Sequence, residues 1–237
     1  PGDKTFRGNV FPKTIMLKEA LKSCERMRKA ERASGKKLLY AENWIFSPAI
    51  QKEKEIVLKT GAQILWMLGE ESHSGSHSPS YGAWGKSGGG SVIGKGCHPL
   101  TAALFLKQEE GLARGGKAIR PVAVSARVHE LTRLPKYIDK EFLRTDYLDV
   151  EDFGMLHVIF EDGTIADIFA NEIVMGGVQE RLEVYANNHR TICNLIPINA
   201  LKTYNPKEEQ FRDIYVVEKT GTKQGWSQPG PDEDWAN

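Results

Sequence analysis

Two side chains capable of proton chemistry, Lys95 and His98, lie near the end of a glycine-rich run, GGGSVIGKGCHPL, at residues 88–100. A histidine titrates near neutral pH and often carries protons in enzymes, and a neighbouring lysine can stabilise an anion. Glycine runs that lead into helices also bind phosphate. The run is therefore a nucleotide loop, a bend that positions a catalytic histidine, or a flexible connection.

The spacing of the glycines excludes the two common nucleotide-binding motifs. A phosphate-binding loop ending in the Gly-Lys-Ser of residues 85–87 needs a preceding strand and a glycine at position 80, which is Ser80. A dinucleotide-binding motif that starts at Gly88 needs a glycine at position 93, which is Ile93. Neither motif fits, so the glycines have a conformational role.

The residues that follow the glycines have a helical pattern from residue 91 to 108. Pro99 lacks an N–H and clashes with the carbonyl group four residues before it, so we expect a kink or break near residues 95–98. Lys95 and His98 would share one face of this helix. The residues alone leave two interpretations open: a catalytic pair in a cleft, or a packed histidine with a solvated lysine.

The first seventy residues alternate between helix and strand patterns, which is typical of α/β domains. Residues 14–37 have helical spacing and are followed by a short apolar run at 38–43 that predicts a strand. A second helix is expected between the N-cap Ser47 and Gly61, and a second strand at 63–70.

After residue 120 the chain is rich in strand patterns. The runs are separated by turn signals, among them EDGT at 161–164 and ANNH at 186–189. The Ser-, Gly- and His-rich residues 71–90 are expected to form a loop. We therefore predict an α/β (α+β) fold with an open, mostly antiparallel β-sheet of about six strands and helices on one face.

Composition excludes several classes of protein. The 237 residues include 32 basic and 31 acidic side chains, so the net charge of +1 gives no reason to expect nucleic acid or a membrane as partner. The three cysteines are too few and too far apart for a disulfide framework or a paired-cysteine metal site, which predicts a reducing, cytoplasmic location.

Several other polar and aromatic residues are candidates for substrate contacts. His73 and His77 lie four residues apart, but Gly75 and the serines around them make a helical metal site improbable, so no metal is predicted. They are either substrate contacts from a loop over the cleft or solvated histidines. Tyr81 and Trp84 could stack on a sugar ring or anchor this loop.

A segment at 144–152, RTDYLDVED, carries five charged side chains. It contains no glycine that would place it like a calcium-binding loop. We therefore predict a solvated approach to a strand.

Three stretches of the sequence resemble the glucose–fructose oxidoreductase/inositol dehydrogenase (Gfo/Idh/MocA) family. Residues 88–106 resemble its glycine run and the histidine that follows. Residues 41–57, AENWIFSPAIQKEKEIV, resemble its Asn-aromatic-x-Phe-Ser-Pro stretch, and residues 150–168 resemble paired strands of its C-terminal sheet. The three stretches occur in the family's order and extend over most of the chain.

The resemblance implies a nucleotide-binding Rossmann domain followed by a substrate-binding and oligomerisation domain. Residues 1–45 would be the last helix and strand of the Rossmann domain, and residues 46–237 the second domain. The sequence has no Gly-x-Gly-x-x-Gly motif. We therefore expect this chain to be a C-terminal portion that lacks most of its Rossmann domain, and to be inactive and without a cofactor when alone. The full-length protein is expected to be a homo-oligomer that uses NAD or NADP.

The resemblance also implies hydride transfer from a sugar- or polyol-like alcohol, with His98 as the proton carrier. The family often has an aspartate four residues before this histidine, where this chain has Gly94, and Lys95 is expected to compensate partly. Many relatives carry an arginine where this chain has Ile45. The predicted substrate contacts are Asn43, Trp44, His73, His77, Tyr81 and Trp84. The alternative is a binding or assembly domain that retains the fold without the chemistry.

Overall fold

The structure, a computed structural model, describes residues 7–76, 78–175, 178–195, 201–214 and 225–227. The helices in this part of the chain are α1 Lys13–Ser34, α2 Pro48–Thr60, α3 Trp84–Ser87, α4 Ser91–Gly94 and α5 Cys97–Gly115. The strands are β1 Ile64–Ser72, β2 Pro121–His129, β3 Phe153–Phe160, β4 Ile165–Asn171, β5 Gln179–Ala186, β6 Arg190–Asn194, β7 Leu201–Asn205 and β8 Gly225–Ser227.

The strands form one open sheet in the order β2-β3-β4-β1-β5-β6-β7-β8. Only β1 and β4 pair in parallel, and every other described pair is antiparallel. This confirms the predicted open, mostly antiparallel sheet, although it has eight strands rather than about six. The strand pattern expected from residue 213 onward lies mostly outside the described residues.

Helices α2 and α5 cover one face of the sheet, as predicted. Side chains alternate between this face and the open face along each strand, because successive residues of a strand point to opposite sides. Helix α2 begins where expected, since the Ser47 hydroxyl accepts a hydrogen bond from the Ile50 N–H at 3.3 Å, and it ends at Gly61, whose φ is +64°. The core between the helices and the sheet includes Trp44, Ile50, Met67, Leu106, Phe160, Ile168 and Leu182.

The N-terminal part differs from the prediction. Helix α1 is present but buries no side chain, and residues 38–43 form no strand. A strand needs a neighbour that pairs its N–H and C=O groups, and none of the described strands pairs with this segment. Leu39 and Tyr40 are accordingly 83% and 71% exposed, so the predicted strand at 38–43 is wrong for this chain.

The region around the glycine run also contains more regular structure than expected. Strand β1 extends to Ser72 and the short α3 interrupts the predicted loop at 71–90. The helix predicted over 91–108 is divided into α4 and α5, which confirms the break expected before Pro99. Pro99 lies in the first turn of α5, where its missing N–H has no partner to lose.

A buried lysine ties α5 to the sheet. Lys107 is fully buried, and its Nζ donates to Glu110 at 2.7 Å, to Asp162 in the β3–β4 turn at 2.9 Å and to the Ile64 carbonyl at 3.3 Å. Arg114 donates to the second oxygen of Glu110 at 2.6 Å. A buried ammonium group is tolerated only when it is paired in this way, so the network fixes the position of α5 along β1.

The start of α5 lies against a glycine of β1. A Cβ atom at Gly69 would be 2.7 Å from the Pro99 Cβ and 2.9 Å from Ile168 Cδ1. The missing side chain therefore lets the first turn of α5 approach the sheet closely. Neither α5 nor any other helix among the described residues is both long and apolar enough to cross a membrane.

Replacing Gly69 with alanine should push the first turn of α5 away from β1. We expect Gly69→Ala to lower the free energy of unfolding by about 1–3 kcal/mol, the usual cost of overpacking a core. Gly115→Ala is the control, because a Cβ there meets nothing within 4 Å and alanine favours the helix. Urea unfolding measures both, and a Gly69→Ala protein as stable as the wild type would contradict the close packing.

Candidate functional site

His98 lies in the first turn of α5, and the break between α4 and α5 sets its direction. The His98 N–H donates to the Lys95 carbonyl at 3.1 Å, which closes a tight turn instead of a continuous helix. The imidazole ring stacks on Trp44 with 6.1 Å between the ring centres and 20° between their planes. Trp44 is fully buried, so it provides a rigid wall for the ring.

A buried glutamate binds His98. The His98 Nδ1 lies 2.5 Å from Glu42 Oε1, and the same oxygen accepts a hydrogen bond from the Trp44 N–H at 3.1 Å. The Glu42 side chain is 1% exposed. A carboxylate in this position fixes the ring orientation and directs the other nitrogen, Nε2, away from it.

A second carboxylate faces that other nitrogen. Glu71 Oε2, on β1, lies 3.9 Å from His98 Nε2. The Cys97 side chain and the carboxylates of Glu42 and Glu71 raise the pKa of His98 to about 9, against the opposing effect of burial. His98 is therefore an imidazolium at neutral pH when nothing is bound.

A tyrosine occupies the space beside Gly94, the position at which the family that the sequence resembles often has an aspartate. A Cβ atom at Gly94 would lie 2.7 Å from Tyr81 Cε1. The Tyr81 ring therefore takes the volume that a side chain at position 94 would need. Glu42 provides the carboxylate for His98 from a different part of the chain.

Lys95 points away from the imidazole of His98. Its Nζ donates to Ser76 Oγ at 3.0 Å and lies 3.7 Å from Glu172 Oε1, and the Ser76 hydroxyl donates to that oxygen at 2.8 Å. The ammonium also lies 5.3 Å from the centre of the Tyr81 ring. The structure thus joins Lys95 to Glu172, whereas His98 is joined to Glu42.

The other predicted residues are divided between this site and its surroundings. His73 Nε2 lies 3.7 Å from Glu71 Oε1, so His73 belongs to the His98 cluster. Asn43 is exposed, and Trp84 lines a separate cavity of about 440 Å³ that does not include His98 among its lining residues. His77 lies outside the described residues.

The acidic residues of the segment 144–152 bind backbone groups, which corrects the solvated interpretation. Glu151 Oε1 accepts hydrogen bonds from the N–H groups of Gly90 and Val92 at 3.1 and 3.0 Å. Asp152 is fully buried and accepts three hydrogen bonds, from the Leu131 and Thr132 N–H groups and from the Thr132 hydroxyl. The Glu151 bonds fix the glycine run in front of α4, and the Asp152 bonds hold the segment that follows β2.

Arg144 holds the loop between β1 and α3. Its guanidinium donates to the carbonyl groups of Ser76, Ser78 and Tyr81, the last two at 3.1 and 2.8 Å, while Nε binds Asp146 at 2.5 Å. The planar group reaches three carbonyls at once because its donors form a fixed fork. Both Ser76 and Tyr81 therefore keep their positions beside Lys95.

Four glutamates of the site were not predicted from the sequence. Glu71 carried a signal, because it alternates with Met67 and Gly69 on the apolar face of β1, where a charge is unusual. Glu42 and Glu172 depend on contacts across the fold that spacing does not reveal. Glu180 becomes visible only from the strand register, which places it opposite Glu71.

The chemistry available at the site is proton transfer. Among the described residues, no group of three or more His, Cys, Asp and Glu side chains is arranged to hold a metal ion. His98, with one nitrogen fixed by Glu42 and the other facing Glu71, is the group best placed to accept or donate a proton.

Comparison with solved structures identifies proteins of the same fold. GenD2 from gentamicin A biosynthesis, in complex with NAD, is 19% identical with a TM-score of 0.59 over 89% of this chain and 52% of its own. An NAD-binding oxidoreductase from Klebsiella pneumoniae is 22% identical, with a TM-score of 0.58 over 85% of this chain and 50% of its own. An inositol dehydrogenase homolog from Azotobacter vinelandii, complexed with NADH and myo-inositol, is 13% identical, with a TM-score of 0.58 over 78% and 44%.

No protein-family model matches the sequence, and no curated protein matches it significantly. The chain spans about half the length of the solved structures it resembles. At these identities the likeness establishes the fold, and it confirms the fold that the sequence resemblance implied. The chain has the fold of part of the NAD-binding oxidoreductases of the Gfo/Idh/MocA type.

Proposed function

We propose that this chain is the substrate-binding part of an NAD(P)-dependent oxidoreductase that acts on an alcohol group of a sugar- or polyol-like molecule. The observation that supports this most is the Glu42–His98 contact of 2.5 Å beside a buried aromatic wall, within a fold shared with NAD-binding oxidoreductases. Among the similar structures, GenD2 is in complex with NAD, and the inositol dehydrogenase homolog is complexed with NADH and myo-inositol.

His98 carries the proton in this proposal. In alcohol oxidation the acceptor is the neutral imidazole, whose population grows as the pH rises toward the His98 pKa of about 9. The substrate O–H proton then passes to His98 Nε2 as the C–H hydrogen leaves as hydride, so that the carbonyl forms without a protonated ketone intermediate. In the reverse reaction the imidazolium donates that proton to the carbonyl oxygen. Glu42 acts as a positioning residue, because its carboxylate holds Nδ1 and stabilises the imidazolium.

The nicotinamide cofactor, when bound, accepts or donates the hydride. The sequence contains no Gly-x-Gly-x-x-Gly motif, and the glycine run is held by Glu151 instead of being open to a phosphate. The residues of this chain therefore do not fit a dinucleotide by themselves. The choice between NAD and NADP belongs to residues outside this chain.

A second candidate function is a binding or assembly domain that keeps the fold without turnover. The absence of a carboxylate at Gly94 favours this alternative, since the family often has an aspartate there. Glu42 weakens it, because the histidine has a buried carboxylate partner. In both cases the ligand would be a small molecule.

We also propose that the open face of the sheet pairs with a second copy of the chain. This face carries Trp66 stacked on Tyr185 at 4.4 Å, and the Trp66 indole N–H donates to Asp167 at 2.8 Å. Ile159 of β3, which is 36% exposed, lies on the same face, because its cross-strand partner Ile165 is also the partner of Trp66. Exposed aromatic and β-branched side chains of this kind are typical of protein interfaces.

Light scattering tests the assembly. We expect a dimer or larger species, because the apolar side chains of the open face would otherwise remain in water. Trp66→Ala and Ile159→Asp should shift the molar mass toward that of one chain, whereas Glu25→Gln on α1 should not. A clean monomer for the wild-type chain would contradict the proposed pairing.

Replacing His98 tests the reaction. The protein would be joined to a nucleotide-binding domain and assayed on a panel of polyols and sugars with NAD and NADP. His98→Asn should lower kcat by about 10²- to 10⁴-fold, the usual contribution of a general acid or base. His129→Asn, on the edge strand β2, is the control. Full activity in His98→Asn would exclude His98 as the proton carrier.

Replacing Glu42 tests the pairing directly. The Glu42 carboxylate favours the charged form of His98, so Glu42→Gln should lower the pKa of His98 from about 9 toward its ordinary value of 6.5, as measured by NMR titration of the ring. Because the folded-state pKa is raised, this contact stabilises the wild type most below pH 6.5 and loses its effect as the pH rises through about 9. Glu70→Gln, on the opposite face of β1, should leave the titration unchanged. An unaltered His98 titration in Glu42→Gln would contradict the pairing.

A further inference from the structure

Two glutamates of the site lie directly opposite each other on neighbouring strands. The register between β1 and β5 pairs Glu71 with Glu180, two residues along from the pair of Gly69 and Leu182. Both side chains therefore lie on the face covered by α5. Like charges directly opposite in a sheet are about 5 Å apart at Cβ and destabilise it, so this arrangement costs folding free energy.

The described residues compensate the charge of Glu71 only in part. Glu71 is 4% exposed, and its Oε2 is a buried atom without a hydrogen-bond partner among the described residues. Its two ion-pair neighbours, His73 and His98, are at 3.7 and 3.9 Å, beyond hydrogen-bond distance. A buried carboxylate oxygen without a donor is costly, which points to a donor that arrives with a ligand.

Glu180 faces the same group of residues. It is partly buried, and burial together with the charge of Glu71 raises its pKa. The charges of His98, His73 and Lys95 oppose this rise, so these groups surround Glu180 on the covered face of the sheet. Glu180 remains more accessible than Glu71, and it is the member of the pair that a ligand reaches first.

The remaining charges of the site are already paired. Lys95 is joined to Glu172 through Ser76, and His98 binds Glu42 at 2.5 Å. With Lys95 and His98 paired in this way, the negative charges of Glu71 and Glu180 exceed the positive charges left to balance them. Hydroxyl groups of a neutral polyol could donate hydrogen bonds to the two glutamates, but they would leave the excess charge uncompensated.

We infer that Glu71 and Glu180 together bind a cationic group of the substrate, an ammonium carried by an amino sugar or an amino cyclitol. The ammonium donates to Glu71 Oε2 and to Glu180, and the adjacent hydroxyl faces His98 Nε2. Only the placement of the hydroxyl in this inference rests on the proposed function. The excess negative charge at Glu71 and Glu180 is a property of this chain. Charge-assisted hydrogen bonds of this kind are roughly twice as strong as neutral ones.

Calorimetric titration of the 237-residue chain tests the inference without cofactor or turnover. The probes are glucosamine, at a pH where its amine is protonated, and the neutral glucose and N-acetylglucosamine. We expect glucosamine to bind about tenfold more tightly than either neutral sugar, which corresponds to about 1.4 kcal/mol. Glu180→Gln and Glu71→Gln should abolish the preference, and Glu70→Gln, next to Glu71 but on the open face, should retain it.

A second measurement separates ligand binding from a structural role. Removing one of two opposed like charges relieves repulsion, so Glu180→Gln should raise the melting temperature while it abolishes the preference for glucosamine. A structural role would instead lower the melting temperature. If glucosamine binds no more tightly than glucose, or binds not at all, the inference is wrong, and so it is if Glu180→Gln keeps the preference. These outcomes do not depend on hydride transfer, so the inference and the proposed reaction fail separately.

Discussion

The depth at which the first turn of α5 meets β1 determines the geometry of the site. Pro99 packs against Gly69, which has no side chain. The start of α5 therefore lies closer to β1 than any other residue at position 69 would permit. His98 precedes Pro99 by one residue and is thereby brought within 3.9 Å of Glu71 on the same strand. The distance between His98 and the sheet is thus a result of the close packing of α5 on β1.

Carboxylates have two distinct roles in this structure. Asp149, Glu151 and Asp152 accept hydrogen bonds from backbone N–H groups and hold the elements that surround the site. Glu42 and Glu71, in contrast, are buried with one oxygen lacking a hydrogen-bond partner among the described residues. The first role contributes stability, whereas each unpartnered buried oxygen in the second costs folding free energy. The second kind of residue is therefore the better indicator of ligand chemistry in a sheet otherwise built from apolar side chains.

The parts of the fold that depend on local sequence were predictable. Helix α2 begins after Ser47 and ends at Gly61 as expected, and the helices α4 and α5 are separated just before Pro99. Helix capping and the steric effect of the proline ring both act within a few residues. The partner of His98 was not predictable, since Glu42 lies 56 residues earlier and the two meet only after α2, β1 and α5 have packed.

Lys95 also shows that contacts between side chains cannot be predicted from their spacing in the sequence. Its position near His98 in the sequence suggested a shared role, but the tight turn before α5 sends its side chain toward Ser76 and Glu172. The strand expected at 38–43 failed for a different reason, because apolar residues form a strand only when a neighbour pairs their backbone groups. Periodicity and capping signals therefore predicted the local helices and strands, whereas tertiary packing decided whether residues 38–43 pair and which side chains meet.

The buried ammonium of Lys107 makes one surface turn unsuitable for engineering. The β3–β4 connection has the sequence of an ordinary exposed hairpin turn, in which Asn-Gly and Asp-Gly are interchangeable by conformation. Here Asp162, in the turn, and Glu110, in α5, both pair with the ammonium group of Lys107. A loop graft or tag inserted at this turn would remove one of the two carboxylates that pair with this buried cation.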